Sequence, residues 1–165
     1  MWAVLLWLSI VVARKQSVQD IAREHWATYG RNYYTRHDYE DLDTPAAQAL
    51  MKAIGEKLPG LAGSQLNGRR VAKADDFSYN DPVDGSVSKN QGLRIIFDDG
   101  SRIVYRLSGT GTTGSTLRVY IDRYEADPGK LAQETQTALA DLIKTAEDIA
   151  EIRRRTGREH PDVIT

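Results

Sequence analysis

The chain has 165 residues, enough for one domain with an appended element, and its 41% hydrophobic and 27% charged residues are ordinary for a soluble globular protein. Its 22 basic and 23 acidic residues give a formal net charge of -1, which excludes a chain-wide positive field that would recruit nucleic acid, so any basic site must be local. Cysteine is absent, which excludes disulfides and thiolate chemistry and fits a cytosolic setting.

The first 13 residues, MWAVLLWLSIVVA, are apolar almost throughout. A bilayer span needs about 20 such residues. Arg14-Lys15 follow where a secretory leader would have small residues for cleavage, so we predict neither a span nor a leader. A helix that is apolar on every side belongs inside a protein core. We interpret the run either as a core helix, with Trp2 and Trp7 filling the core, or as a helix of a fragment whose covering partner lies outside the chain.

A helix and a strand are predicted next. Ser17 is a typical N-cap residue, and apolar side chains recur at helical spacing from Val18 to Tyr29. Gly30 is expected to end the helix, because glycine readily adopts the left-handed conformation found at helix C-termini. Residues 32–42 are rich in aromatic side chains and alternate in places, which predicts a strand.

A second helix and a connection are predicted between residues 44 and 70. Thr44-Pro45 is typical of a helix start, since proline fits the first turn, and apolar residues continue at helical spacing to Ile54. Residues 59–70 contain several glycines and no clear period, so we expect a connection there.

Strand-like segments and a long helix complete the chain. The strand-like segments cover residues 71–79, 93–97, 102–107 and 117–124. Asp98-Asp99-Gly100 predicts a tight hairpin turn between the second and third of them. Asp127-Pro128 predicts the start of a long helix, which Gly157 ends. Helices flanking a run of antiparallel hairpins define an α+β fold, with one sheet covered on a face by helices.

A glycine-rich run separates the last two predicted strands. Between Arg106 and Arg118 lie nine consecutive positions that hold three glycines and six hydroxyl residues. Pairing of the two strands would bring both arginines to the mouth of one loop. Glycines let backbone N–H groups turn inward toward an anion, and a guanidinium donates two hydrogen bonds to phosphate at once. The pattern predicts a phosphate-binding hairpin.

Other loops share parts of this pattern. The glycine spacing from Gly109 to Gly114 matches a dinucleotide-binding motif, but that motif must open a helix, and Val119-Tyr120-Ile121 favour a strand. A Walker loop would need a lysine where Ser115 stands, and a protein kinase would need catalytic-loop and metal motifs that the sequence lacks. A flexible surface loop remains the alternative to a phosphate site.

No metal site is predicted. The three histidines are widely separated in sequence, so no zinc pattern appears. Four aspartates near predicted turns are better explained by turn chemistry than by metal binding: Asp81, Asp84, Asp98 and Asp99. His37 is more typical of a packed or surface histidine than of a catalytic base.

Motifs along nearly the whole chain resemble the C-terminal domain of the α-D-phosphohexomutases, in particular the phosphoglucomutase branch of that family. The most specific are Arg106-Leu107-Ser108-Gly109-Thr110-Gly111 and Arg118-Val119-Tyr120-Ile121. The others, in family order, are Tyr29-Gly30-Arg31-Asn32, Thr35-Arg36-His37-Asp38-Tyr39-Glu40, Lys73-Ala74-Asp75-Asp76-Phe77, Asp81-Pro82-Val83-Asp84-Gly85-Ser86, Lys89-Asn90-Gln91-Gly92, Thr156-Gly157-Arg158 and Val163-Ile164-Thr165.

The resemblance implies a four-domain enzyme that interconverts glucose 1-phosphate and glucose 6-phosphate. A phosphoserine in the first domain would transfer a phosphoryl group by way of glucose 1,6-bisphosphate, assisted by magnesium in the second domain. The fourth domain would have a TATA-binding-protein-like fold and would hold the phosphate that is not reacting. By this resemblance the substrate-phosphate-binding residues are Arg106, Ser108, Gly109, Thr110, Gly111 and Arg118.

The family's catalytic loops do not occur in this sequence. The sequence lacks the phosphoserine loop, in which Ser-His lies beside Asn-Pro, and it also lacks the magnesium loop and the third domain's sugar-recognition loop. We therefore expect no catalytic residue here. Residues 1–16 resemble the terminal helix of a truncated preceding domain, and residues 17–165 resemble the phosphate-binding domain. The implied partners are phosphosugars and the remaining domains of a cytoplasmic enzyme, without nucleic acid or membrane.

Two alternatives remain open. One is a stand-alone, non-catalytic phosphosugar-binding module, in which the apolar N-terminal helix would dock to a separate chain. The other is membrane attachment through residues 1–13, which the shortness of the run disfavours.

Overall fold

The computed structural model describes residues 1–109 and 114–165, which form two compact units. The first unit comprises residues 1–32 and 124–133, and the second comprises residues 33–123 and 134–165. Thr110 and Gly111, both expected to bind phosphate, lie outside the described residues.

The first unit contains helix α1 (Trp2–Arg14) and helix α2 (Val18–Tyr29). Ser17 caps α2 as predicted, because its hydroxyl oxygen accepts a hydrogen bond from the backbone amide of Asp20. Gly30 ends the helix with a φ of 79°, also as predicted.

Helix α1 buries none of its residues. The prediction that Trp2 and Trp7 fill a core is therefore wrong, since their exposed fractions are 85% and 44%. Apolar side chains surround the whole axis of this helix, so a single neighbouring helix can cover only part of them. Within the described part of the chain, no helix combines the length and the hydropathy that a membrane crossing requires.

A seven-stranded sheet dominates the second unit. The strands of the described residues are β1 (Arg31–Leu42), β2 (Gln65–Leu66), β3 (Arg69–Asp76), β4 (Tyr79–Asn80), β5 (Val87–Ser88), β6 (Leu93–Phe97), β7 (Arg102–Ser108), β8 (Ser115–Glu125) and β9 (Val163–Ile164). Their order in the sheet is β2-β3-β6-β7-β8-β1-β9, while β4 and β5 form a separate hairpin. The pairs β2–β3, β3–β6, β6–β7, β7–β8 and β1–β9 are antiparallel, in agreement with the predicted fold class.

Helices cover one face of this sheet. Helix α3 (Thr44–Leu61) packs on β3, β6 and β7, and it also contacts α5 (Ala140–Ala150) and α6 (Ile152–Thr156). Alternate strand residues fill the core between sheet and helices, among them Ile95, Phe97, Ile103, Tyr105, Leu117 and Ile121. The intervening positions belong to the opposite face, called here the charged face because it carries Arg102, Arg106, Arg118 and Asp122.

The predicted connection over residues 59–70 is wrong. Helix α3 continues past Pro59 to Leu61, and the chain then forms β2 and enters β3 at Arg69. Leu58 is buried in the core and Leu61 packs against it, so apolar burial favours another helical turn despite the proline.

The long helix predicted from Asp127 is also wrong. A short 3-10 turn at Pro128–Lys130 is followed by helix α4 (Thr135–Ala138) and then by α5. The Glu134 carboxylate accepts hydrogen bonds from the amides of Gln136 and Thr137, so a new helix begins there. Gly157 closes α6 as predicted for the last helix.

The Tyr105 hydroxyl provides a test of core packing. It is fully buried, which raises its pKa well above the usual value, and it donates a hydrogen bond to the Ala146 carbonyl of α5 at 2.8 Å. We expect Tyr105→Phe to lower the free energy of unfolding by about 1 kcal/mol, the typical net contribution of one such bond. Urea unfolding measures this change. Tyr124→Phe is the control, since that exposed hydroxyl donates to the Tyr29 carbonyl, and an equal loss in both variants would contradict the role of burial.

Candidate phosphate-binding site

The two arginines that flank the glycine-rich run lie directly opposite each other. Strands β7 and β8 pair antiparallel, and Arg106 is the register partner of Arg118. Opposed residues of an antiparallel pair project from the same face of the sheet, so both guanidinium groups leave the sheet on its charged side. The two positions are thus separated only by the width of one strand pair.

Ser115 ties the two ends of the loop to helix α3. Its buried hydroxyl lies 3.0 Å from the hydroxyl of Thr44, at the start of α3, and donates to the Gly109 carbonyl at 3.3 Å. Ser108, another predicted site residue, pairs with Thr116 on the opposite strand. The Ser115 hydroxyl therefore has a structural role.

The glycines at the two ends of the loop adopt backbone conformations that favour glycine. Gly109 has a φ of 88° and Gly114 a φ of 113°. A Cβ atom at Gly114 would lie 3.1 Å from the Cα of Asp41, so the backbone at Gly114 lies close against the end of β1.

Arg118 leans toward a buried carboxylate on β1. Its Nε lies 3.6 Å from an Asp38 oxygen, and that nitrogen is buried without a hydrogen bond. The other Asp38 oxygen accepts a hydrogen bond from Arg36 Nε at 2.8 Å, which raises the pKa of Arg36. One carboxylate thus faces two guanidinium groups that come from two strands.

Arg106 has a different environment. Among the described residues its side chain makes neither an ion pair nor a hydrogen bond, and it lines a cavity of about 250 Å³. The rest of the lining comes from Gln48, Met51, Asn90, Gln91, Gly92 and Leu107. A guanidinium without an anion beside an open cavity is available to bind one. The site predicted from the sequence includes neither Asn90 nor Gln48, because neither residue belongs to the hairpin.

Gly92 keeps the wall of this cavity close to Arg106. Its φ is 148°, and a Cβ atom there would lie 2.9 Å from Arg106 Cγ and 3.1 Å from the Tyr105 carbonyl oxygen. We expect Gly92→Ala to displace the Arg106 side chain and weaken phosphate binding about threefold to tenfold, with about 1–3 kcal/mol lost from the free energy of unfolding through backbone strain.

Titration of the variant with inorganic phosphate, followed by NMR, measures the change in affinity. Gly85→Ala is the control, because Gly85 also has a positive φ, of 74°, but has open space around the new Cβ. Loss of stability in both variants with unchanged affinity in Gly92→Ala would contradict the steric link to Arg106.

The other candidate residues have structural partners. His37 is buried, with its Nε2 2.9 Å from the Gln136 side-chain oxygen, which is the environment of a packed histidine. Asp81 and Asp84 accept hydrogen bonds from amides two residues further on, as turn aspartates do. Within residues 1–109 and 114–165, no three His, Cys, Asp or Glu side chains group as metal ligands.

The described elements define an α+β domain in which one face of the sheet carries two directly opposed arginines, Arg106 and Arg118. A family model described as "Phosphoglucomutase-1, C-terminal domain" matches residues 31–162. The chain belongs to this phosphoglucomutase C-terminal domain family.

Individual relatives agree with the family match. Phosphoglucomutase of Rhizobium radiobacter is 59% identical over 165 residues, and human phosphoglucomutase-1 is 52% identical over 171 residues. Each alignment covers 100% of this chain and 30% of the relative, so the chain spans about a third of the length of these proteins. The open form of the Paramecium phosphoglucomutase pp63/parafusin superposes with a TM-score of 0.85 at 44% identity, over 99% of this chain and 29% of that one.

Proposed function

We propose that this chain is the substrate-phosphate-binding domain of an enzyme that interconverts glucose 1-phosphate and glucose 6-phosphate through glucose 1,6-bisphosphate. The observation that carries the proposal is the register of β7 and β8, which pairs Arg106 with Arg118 on one face beside the glycine-rich loop. The proposed phosphate ligands are Arg106, Ser108, Gly109, Thr110, Gly111 and Arg118. Family membership supports the phosphosugar as the substrate class.

The chemistry of the site suits a phosphate that is held and not transferred. Guanidinium groups donate charge-assisted hydrogen bonds without being able to give up a proton, so Arg106 and Arg118 bind and orient. Binding energy from a remote phosphate can be used to place the reacting end of the sugar. A domain that closes over the substrate would also exclude water from the reaction.

The nucleophile and the magnesium ion are proposed to lie in the remaining domains of the enzyme. This sequence contains neither a phosphoserine loop nor a magnesium loop, and it spans about 30% of the length of its relatives. When bound, magnesium would neutralise charge on the phosphoryl group in transfer. Residues 1–16 are proposed to belong to the preceding domain and residues 17–165 to the phosphate-binding domain.

We also propose a cytoplasmic location for the enzyme. The relatives from Populus tremula and Pisum sativum are both named "Phosphoglucomutase, cytoplasmic", and they are 47% and 46% identical to this chain. These names support the location, and the absence of cysteine is consistent with it.

NMR titration of the 165-residue chain tests the site. We expect glucose 1,6-bisphosphate to shift the amide signals at the ends of β7 and β8 saturably, and glucose to leave them unchanged. Equal, negligible shifts with both ligands would contradict the phosphate site. In the full-length protein that carries the chain, phosphosugar binding without interconversion of the two glucose phosphates would favour the alternative of a non-catalytic binding module.

A further inference from the structure

We propose that Asp38 is a positioning residue for phosphate binding, which holds the guanidinium of Arg118 in place from within the sheet face. The inference rests on the proposed phosphate site and adds a residue outside the glycine-rich hairpin. Asp38 itself touches no substrate in this arrangement; it acts through Arg118.

The burial of Asp38 is the first supporting observation. Its side chain is only 3% exposed, although it projects from the charged face of the sheet. Carboxylates are almost never fully buried unless they are paired. The backbone around it is also fixed, because β9 pairs along β1 and the Asp162 amide donates to the Asp38 carbonyl at 2.8 Å. The Asp38 carboxylate is therefore held in one position on the sheet.

The geometry at Arg118 is the second observation. Arg118 approaches Asp38 through Nε, at 3.6 Å, which is too long for a direct hydrogen bond and short enough for strong attraction. The Arg118 side chain remains 38% exposed. Attraction through the buried inner nitrogen restrains the side chain, while the exposed part of the side chain stays accessible to an anion.

The repulsion within the opposed pair of arginines explains why Arg118 needs a restraint. Like charges directly opposite each other in a sheet repel, so Arg118 without a counter-charge would swing away from Arg106. Asp38 supplies that counter-charge and shares it between Arg118 and Arg36, which donates a hydrogen bond to its other oxygen. Asp38, Arg36 and Arg118 together keep a net charge of about +1 for the incoming anion.

Two effects of removing this charge have opposite signs, which makes the proposal testable. A general electrostatic effect predicts that loss of any nearby carboxylate makes the site more positive and tightens phosphate binding. A positioning role predicts that loss of Asp38 weakens binding, because Arg118 is no longer held. Asp122 is the matched control: it lies on β8 on the same face, pairs with Arg102, and does not contact Arg118.

The experiment compares Asp38→Asn, Asp122→Asn and Arg118→Ala in the 165-residue chain, titrated with glucose 1,6-bisphosphate by NMR. We expect Asp38→Asn to bind about tenfold more weakly, and Asp122→Asn to bind as the unchanged chain does or slightly more tightly. The Nε–Hε signal of Arg118 should also show a lower heteronuclear NOE in Asp38→Asn, a loss of order that a remote structural change would not produce.

Each outcome has a defined meaning. Unchanged or tighter binding by Asp38→Asn, with binding lost in Arg118→Ala, would overturn the positioning role and leave the phosphate site intact. Equal binding by the unchanged chain and Arg118→Ala would instead contradict the proposed function. Asp38→Glu keeps the charge but displaces it by one methylene, so this variant should also bind glucose 1,6-bisphosphate more weakly. If Asp38→Asn does not fold, Asp38→Glu becomes the deciding variant. Unchanged affinity in Asp38→Glu would then overturn the proposal.

Discussion

Replacement of Gly114 with alanine should lower the free energy of unfolding by about 2–5 kcal/mol, the sum of backbone strain and overpacking. The strain arises because Gly114 has a φ of 113°, a conformation that residues with a Cβ rarely adopt. The overpacking arises because the new Cβ would lie 3.1 Å from Asp41 Cα and 3.3 Å from the Leu42 carbonyl oxygen. These are backbone atoms, so no side-chain rotation relieves the contact. Chemical denaturation of the unchanged and substituted chains measures the loss, provided that the two m-values are equal.

Gly109→Ala separates the two contributions. Gly109 has a φ of 88°, but its Cβ would meet nothing nearer than the Gly114 carbonyl oxygen at 3.5 Å, an ordinary contact. It should therefore show the strain alone, about 1–2 kcal/mol. Phosphate binding should also fall further in Gly114→Ala, because the backbone at residue 114 must move away from the end of β1. If both variants lose the same stability, the close approach to Asp41 contributes nothing measurable.

The hairpin was predictable from the sequence because its determinants are local. Two period-two apolar patterns flank a run of glycines and hydroxyls, and antiparallel pairing around one loop brings the residues at its two ends together. The placement of Arg106 opposite Arg118 follows from that symmetry. The fold class was predictable for the same reason, since β7 and β8 carry their own period and helices α2 and α3 their own capping residues.

The surroundings of the hairpin were not predictable, because they depend on contacts between distant segments. Asp38 meets Arg118 only because β1 lies next to β8 in the sheet, and no local pattern fixes that neighbour. The wall formed by Gln48 and Asn90 likewise requires α3 and the turn before β6 to meet at Arg106. The two wrong element boundaries have similar causes: core burial of Leu58 extends α3 past Pro59, and the Glu134 carboxylate starts a new helix within the predicted long one.

Arg106→Ala should weaken binding of glucose 1,6-bisphosphate by about tenfold to hundredfold, because a hydrogen bond to a charged group contributes about 1.5–3 kcal/mol. The same substitution should not lower the stability of the folded protein. Arg106 is exposed and directly faces Arg118, so its removal relieves a like-charge contact and should leave the protein equally stable or more stable by about 0.2–1 kcal/mol. Paired measurements of affinity by NMR titration and of stability by urea unfolding test both halves.

Arg102→Ala is the control for charge. Arg102 lies on the same strand and face as Arg106, but its register partner is Asp122, with which it forms an ion pair. Its removal deletes the same charge and breaks an attractive contact, so stability should fall slightly while affinity changes by less than about threefold. In Arg106→Ala, loss of affinity accompanied by loss of stability would indicate that this arginine supports the fold. Loss of affinity with increased stability identifies a residue whose charge opposes folding and serves the ligand, because Asp38 offsets the repulsion between the two arginines only in part and a bound anion would offset the rest.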